Sequence, residues 1–196
     1  MRIPYVRWSW AFRDFFLSLP EIFEAMAQVI LSMGSNLGNR LETLQQGVSR
    51  LSFEAGTVKQ ISAVYESVAW GFSVPERFLN LAVMIETELN PRALLKLIHE
   101  IEESFGRVRE GSTYRSRTLD IDIIFYEEDV IQEPDLSIPH RLMHQRLFVL
   151  LPLLDLVPNK VHPIFGKTMK ELLEQCSDAS DIQKYSDFEF QPSFVE

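Results

Sequence analysis

The stretch Gly106–Tyr126, GRVREGSTYRSRTLDIDIIFY, limits what this chain can become more than any other. Four arginines, Arg107, Arg109, Arg115 and Arg117, stand just upstream of an Asp-x-Asp pair, Asp120 and Asp122. Thr118–Tyr126 is rich in Leu, Ile, Phe and Tyr, which predicts a strand. Alternate residues of a strand share a face, so Asp120 and Asp122 point the same way, about 7 Å apart along it. Leu119, Ile121, Ile123 and Phe125 then point the other way, into a core. Two carboxylates on one strand face repel each other, and something has to compensate them. Water or arginines do so weakly. A hard divalent cation does so strongly, because Mg²⁺ is commonly held by one or two carboxylates, with phosphate oxygens and water completing its shell. Arginine forks suit phosphate. Metal, arginine and phosphate together are the parts of phosphoryl or nucleotidyl transfer. The pair alone has a second reading: the solvated face of an amphipathic sheet beside an ordinary soluble loop.

Length and charge narrow the field. A chain of 196 residues suggests one domain with appendages. We expect an N-terminal extension over 1–27, the domain over 28–176 and a loosely held tail over 177–196. A net charge of −9 argues against general affinity for nucleic acid, so any phosphate binding must come from local arginines. The one cysteine, Cys176, excludes an intrachain disulfide framework and offers no Cys-based zinc site. It fits a reducing cytoplasm as an inert or surface thiol. No apolar run is long enough to span a membrane. Residues 1–27 mix Trp8, Trp10, Phe12, Phe15 and Phe16 with Arg7, Arg13 and Asp14. Ala25-Met26-Ala27 has the small-x-small form of a signal cleavage site. Arg13 and Asp14, however, break the apolar region a signal peptide needs, and Glu21 and Glu24 flank the cleavage point. A helical appendage and a working start at Met26 are the two open readings.

In chain order, Gln28–Met33 predicts a buried first strand. It runs into Gly34-Ser35-Asn36-Leu37-Gly38-Asn39, a tight loop whose backbone can approach a ligand or simply turn. The loop lacks the Gly-Lys-Ser/Thr ending of a Walker A motif. A helix follows, with Leu41, Leu44, Val48 and Leu51 at helical spacing. Val58–Val68 and Leu79–Leu89 predict two more strands. The loop between them carries Trp70, Phe72 and Phe78, either a cap on the core or a stacking surface for a flat ligand. Asn80 could hydrogen-bond a heterocycle edge or a neighbouring backbone. Asn90-Pro91 predicts a helix start and Gly106 its C′ residue. Leu94, Leu95, Ile98, Ile101 and Phe105 line its buried face, while His99 and Glu102 share another face, expected to be exposed. The order β-α-β-β-α-β predicts an α+β, ferredoxin-like antiparallel sheet with two helices on one face and the other face free for ligands. Such a fold hosts many functions and proves none. Beyond it, helical or hairpin additions are expected: a short helix from Arg146 ending near Pro152, and a helix over Thr168–Gln175.

Five motifs together resemble a known family. They are Gly34-Ser35-Asn36, Phe78-Leu79-Asn80, Gly106-Arg107-Val108-Arg109, Ser116-Arg117-Thr118-Leu119-Asp120-Ile121-Asp122, and Pro139-His140 followed by Arg146-x-Phe148. From about Val29 to Pro158 the chain resembles 6-hydroxymethyl-7,8-dihydropterin pyrophosphokinase of folate biosynthesis. The resemblance implies transfer of the terminal pyrophosphoryl unit of ATP to the pterin hydroxymethyl group, releasing AMP. It implies Asp120 and Asp122 as ligands of two Mg²⁺ ions that bridge the ATP phosphates. Arg107 and Arg117 would neutralise phosphate charge, and Arg109 would ride on a loop that closes over the site and excludes water. His99, Glu102, Ile123, His140 and Arg146 match ATP-contacting positions, Ile123 through its backbone. The pterin would lie between Phe78 and Phe148, with Ser67, Val68, Trp70, Asn80 and Asp120 around it.

The chain departs from the family pattern in places. Tyr114 stands where Trp is frequent, Arg115-Ser116 where Gly-Pro is common, Val68-Ala69 where Pro-Pro is frequent, and Arg141 where a small or aromatic residue is commoner. These positions touch the closing loop and the pterin rim. The partners implied are ATP and the pterin, with no nucleic acid and no membrane, for a cytoplasmic monomer. Two rivals predict other surfaces. An RNA-binding module on the same fold needs basic, aromatic sheet positions where this chain has Asp120 and Asp122. A catalytically dead ligand sensor would not need Asp120, Asp122, Arg107 and Arg117 together.

Overall fold

The computed structural model describes residues 26–71, 74–106 and 118–190. The readings made for residues 1–25, for Phe72, and for Arg107, Arg109, Tyr114, Arg115, Ser116 and Arg117 lie outside the described residues. The elements run β1 (Ala27–Ser35), α1 (Arg40–Glu54), β2 (Thr57–Ile61), β3 (Val64–Ser67), β4 (Phe78–Thr87), α2 (Pro91–Ser104) and β5 (Asp120–Tyr126). They continue with β6 (Ile131–Gln132), β7 (Ser137–Ile138), a 3₁₀ turn (Met143–Gln145), α3 (Leu147–Leu156), α4 (Met169–Gln175) and β8 (Ile182–Ser186).

The main sheet has the order β5-β1-β4-β3-β8, with β2 also on β4, and every pairing is antiparallel. β1 and β4 are therefore central, and their near-continuous apolar sequences are what strands covered on both faces require. One face carries Leu31, Met33, Leu81, Val83, Ile85, Ile121 and Ile123 and packs on α1 and α2 through Leu44, Val48, Leu51, Leu94, Ile98 and Ile101, all buried. Burying each such side chain stabilises by roughly 1.5–3 kcal/mol. α2 begins as predicted: Pro91 opens it and Asn90 accepts the Ala93 N–H at 2.9 Å. It ends beside Gly106, whose φ of +82° is the left-handed conformation a glycine adopts cheaply.

The second face is not free along its whole length. Ile30, Ala82, Met84, Ile124 and Phe125 are buried beneath α3 and α4, against Val149, Leu150, Leu153, Met169 and Leu172. Phe125 thus faces away from Ile121 and Ile123, contrary to strict alternation. The pairing of β5 with β1 runs Ile30↔Phe125 and then Leu31↔Ile123, so Ile124 is an extra residue. A bulge of this kind inverts the facing of everything beyond it.

Four other expectations change. The single strand over 58–68 is two pieces, because Ser62 interrupts the ladder: its Oγ accepts the Ala82 N–H at 2.8 Å. β1 runs two residues further than expected, through Gly34 and Ser35. α3 continues past Pro152 to Leu156. Proline costs the helix one hydrogen bond, and the burial of Leu150, Pro152 and Leu153 offsets it. The tail supplies an edge strand, β8, on β3, and Phe188 and Phe190 pack against the first core. α3 is tied at its far end by Asp155, which accepts the Ala63 N–H at 3.0 Å and the Tyr65 hydroxyl at 3.1 Å. Burial, then the charge on Asp155, pushes the Tyr65 phenol up to about 12.

Candidate active site

The uncovered end of the second face is a polar continuation of the apolar one. Along β1 the residues on this face run Ile30, Ser32, Gly34; along β4, Met84, Ala82, Asn80, Phe78; along β5, Asp122 and Asp120 follow Phe125. Ser32 pairs directly with Asp122, and Gly34 with both Asp120 and Asn80. Directly opposed residues in an antiparallel pair project to the same side. Asp120 and Asp122 therefore share one face, as their spacing predicts, and both are partly exposed.

Two basic groups approach Asp122. Its Oδ2 lies 3.9 Å from Arg146 and 4.0 Å from His140 Nε2. His140 comes from the loop after β7, anchored where its backbone N–H donates to the Ile124 carbonyl at 3.1 Å. Its Nδ1 accepts the Leu142 N–H at 3.3 Å, which puts the ring proton on Nε2, facing Asp122. Burial pushes His140 below the ordinary histidine range; Asp122 opposes that shift and Arg146 reinforces it. His140 is then neutral at neutral pH, and Arg146 is the charged partner. Among the described residues no third His, Cys, Asp or Glu joins the pair in a metal cluster. Two half-exposed carboxylates suit a hard cation whose other ligands are phosphate oxygens and water. Arg146 is buried, and its Nε has no hydrogen-bond partner among the described residues.

Next to the carboxylates lies a set of flat side chains. The Arg146 guanidinium sits 4.8 Å from the Trp70 ring centroid and 5.6 Å from that of Phe148. Across β1, Asn80 is buried and its Nδ2 donates to Ser67 Oγ at 2.9 Å, so strand β4 and the end of β3 present one polar edge. Gly34 makes room for it. A Cβ there would meet Asn80 Oδ1 at 3.2 Å and Phe78 Cδ1 at 3.8 Å. Phe78 is half-buried on this face, and Val68 is exposed at the rim.

Other predicted residues fall elsewhere. Glu102 is fully buried rather than exposed: its Oε1 accepts the Ile121 N–H at 2.8 Å on the outer edge of β5. Ile123, two residues along, has its side chain in the core and its backbone on that same edge, as expected for a backbone contact. His99 is half-buried one helical turn before Glu102. Beside His140 a cavity of about 490 Å³ opens between the β6–β7 hairpin and Ile164–Phe165, within the size range of small-molecule sites. Ser32 is a site neighbour that the sequence reading missed. The signal was available: it lies two residues before Gly34 on the same strand face. At the start of α1, after the Gly34 loop, the Asn39 and Glu42 side chains bond each other at 2.7 Å.

Comparison with known proteins converges on one family. The profile of the 7,8-dihydro-6-hydroxymethylpterin-pyrophosphokinase (HPPK) family matches residues 30–158. The chain is 40% identical over 146 residues to the 2-amino-4-hydroxy-6-hydroxymethyldihydropteridine pyrophosphokinase of Aquifex aeolicus, covering 74% of this chain and 90% of that protein. It is 41% identical over 127 residues to the enzyme of the same name from Bacillus subtilis, covering 64% of this chain and 75% of that one. Among solved structures, an HPPK-DHPS chain of Plasmodium falciparum superposes with a TM-score of 0.65 at 16% identity, covering 79% of this chain. Our chain spans 46% of that longer one, and the likeness speaks for the fold alone.

Proposed function

This chain belongs to the HPPK family, and from that premise we propose that it transfers pyrophosphate from ATP to the hydroxymethyl group of 6-hydroxymethyl-7,8-dihydropterin, releasing AMP, in folate biosynthesis. The observation that carries the reading is the meeting of Asp120 and Asp122 on one strand face with Arg146, 3.9 Å from Asp122 and close to the Trp70 and Phe148 rings. In the reaction the pterin hydroxyl oxygen forms a bond to the β-phosphorus of ATP. The bond from that phosphorus to the α-phosphate bridging oxygen breaks, AMP leaves, and the hydroxyl gives up its proton.

Asp120 and Asp122 would hold Mg²⁺, two ions in our reading. Bound there, Mg²⁺ supplies neutralisation of the triphosphate and polarisation of the phosphorus under attack. The side chains do the rest. Arg146 is assigned to phosphate oxygens through its guanidinium. Arg107, Arg109 and Arg117, outside the described residues, are assigned to phosphate charge and to closure over the site. His140, neutral, offers an Nε2–H donor without adding a charge. His99, Glu102 and the Ile123 backbone are assigned to the nucleotide along the outer edge of β5. The pterin ring is assigned to Phe78 and Phe148, with Asn80, Ser67, Val68 and Trp70 at its edge. A flat, polar-edged ring needs that combination of stacking and hydrogen bonds. We assign the fold as ferredoxin-like, with β2 and β3 together serving as its second strand. The chain is taken as a cytoplasmic monomer, in keeping with the unpaired Cys176.

A product analysis tests the reading. Protein, ATP, Mg²⁺ and the pterin are mixed, and nucleotide products are separated. AMP that appears only with pterin is the expected result. ADP would replace the proposal with simple phosphoryl transfer, and pterin binding without turnover would make the chain a sensor.

A further inference from the structure

α3 starts without a cap of its own: Arg146, at its N-cap position, makes no side-chain hydrogen bond to the first turn. The first N–H groups of a helix need partners from outside it. Here one comes from the tail. Asp178 Oδ2 accepts the Leu147 N–H at 2.9 Å. Leu147 lies between Arg146 and Phe148, the two residues that carry the stacked end of the candidate site. A carboxylate at that place also complements the positive end of the helix dipole. Asp178 is itself held in position, since its Oδ1 accepts the N–H of Ser180 at 2.9 Å and bonds the Ser180 hydroxyl.

The same segment reaches the opposite rim. The Asp181 carbonyl accepts the Val68 N–H at 3.3 Å, and its carboxylate takes Arg77 at 2.9 Å. Arg77 is the residue before Phe78. Ile182 then pairs with Ser67 in the β8–β3 ladder. One strap of five residues, 178–182, therefore touches the neighbour of Phe148, the neighbour of Phe78, and Ser67 and Val68 directly. It lies wholly beyond residues 30–158, which carry the family match.

We infer that Asp178 is a positioning residue for the pterin slot: by capping α3 at Leu147 it sets the direction of Phe148, while the strap it heads holds the facing rim. The inference rests on the reading that the pterin stacks on Phe148. Asp178 touches no reacting atom. Its removal should loosen the ring slot more than the nucleotide side, because Arg146 has its own anchor in Asp122, 3.9 Å away, the other end of α3 stays tied through Asp155 to β3, and Asp120 and Asp122 stand on a different strand.

The test is steady-state kinetics of the full chain with KM measured separately for the pterin and for ATP. Asp178→Ala should raise the pterin KM about tenfold and leave the ATP KM within about twofold. Asp178→Asn, which keeps an acceptor for Leu147, should recover most of the loss. An unchanged pterin KM in Asp178→Ala, or an equal rise in both KM values, would overturn the inference, as would an Asp178→Asn no better than alanine. Should Asp178→Ala not fold, Asp178→Glu decides: the carboxylate displaced by one methylene should give an intermediate pterin KM, and a wild-type value would be the overturning result. Phe148→Ala separates the two levels of the argument. If it raises the pterin KM and Asp178→Ala does not, the strap inference fails alone. If Phe148→Ala leaves the pterin KM unchanged, the ring slot itself is misplaced, and the role of Asp178 falls with it.

Discussion

The two ends of the second sheet face are built on the same three strands and have opposite fates. At one end Ile30, Met84 and Phe125 lie buried under α3 and α4. Two to five residues further along the same strands, Ser32, Gly34, Asn80, Asp122 and Asp120 face an opening edged by Arg146 and His140. The same three strands pair throughout, with one bulge at Ile124, and the decisive difference between the ends is in the side chains. Large apolar groups attract a cover, because each leaves water at a gain of a few kcal/mol. A carboxylate pair repels one, because burying two like charges costs far more than the apolar area returns. The polar end thus stays open for folding reasons, and the same residues equip it for a cation and a phosphate.

The largest effect that could break this contrast is at the open end. Asp122→Ala should abolish pyrophosphoryl transfer, a fall on the order of a thousandfold, while leaving thermal unfolding essentially where it was. Asp122 is 36% exposed in its side chain. AMP formation and circular dichroism measured on one preparation check both halves. Near-normal activity would remove Asp122 from the metal assignment.

The mirror experiment is at the covered end. Phe125→Ala should destabilise the fold by about 3–5 kcal/mol, the range for emptying a buried aromatic site, and leave the pterin KM unchanged in the protein that remains folded. Denaturant titration reads the first and initial-rate kinetics the second. A shifted KM would mean that the two ends communicate.

Asn80→Ala sits between these extremes. The loss of its bond to Ser67 costs about 1 kcal/mol of stability, because the partner hydroxyl is buried too. The pterin KM should rise about tenfold, with ATP unaffected. If both substrates suffer equally, Asn80 is a scaffold bond and not a ring-edge contact.

The contrast also marks how far a sequence can be followed. Asp120 and Asp122 share a face because they stand two positions apart in a period of two, and Asn90, Pro91 and Gly106 announce the ends of α2 by local chemistry alone. Those features need no knowledge of the partner strands. Phe125 needed it: its inversion comes from Ile124 having no opposite number on β1, a fact of pairing register that DIDIIFY does not contain. Glu102 looked like a surface residue by helical spacing, and only the edge position of β5 gives its carboxylate a buried amide to bind. The tail looked polar and loosely held, yet β8 is held by backbone pairing and by Asp178 and Asp181, which composition counts as mere charge. For the site, the residue types could be found in the sequence, whereas the approach of Arg146 to Asp122 depends on how the 3₁₀ turn and α3 pack.

The smallest expected effect uses pH to separate the ends. His162 belongs to the covered end: its ring packs edge-on to Phe125 at 5.8 Å, and its Nδ1 accepts the Ile164 N–H at 3.2 Å. Burial, with a smaller push from His144, lowers it to about 4. In the unfolded chain the same ring takes up its proton near 6.5. Between those values the unfolded state binds the extra proton, so stability rises with pH through the window and is lost as pH falls from about 6.5 toward 4. His162 is 2% exposed, but Ile164 and Phe165 of the same hairpin are 48% and 43% exposed. Water can relax around the charged ring there, and we put the loss at about 1–2 kcal/mol. Thermal unfolding followed from pH 7 to pH 4 should show this slope, and His162→Asn should flatten it. A slope that survives the substitution would move the acid sensitivity to the other histidines that burial depresses, His140 at the open end and His144 beside His162, and repeating the scan with each of them replaced by Asn would show whether the open end, too, carries folding stability.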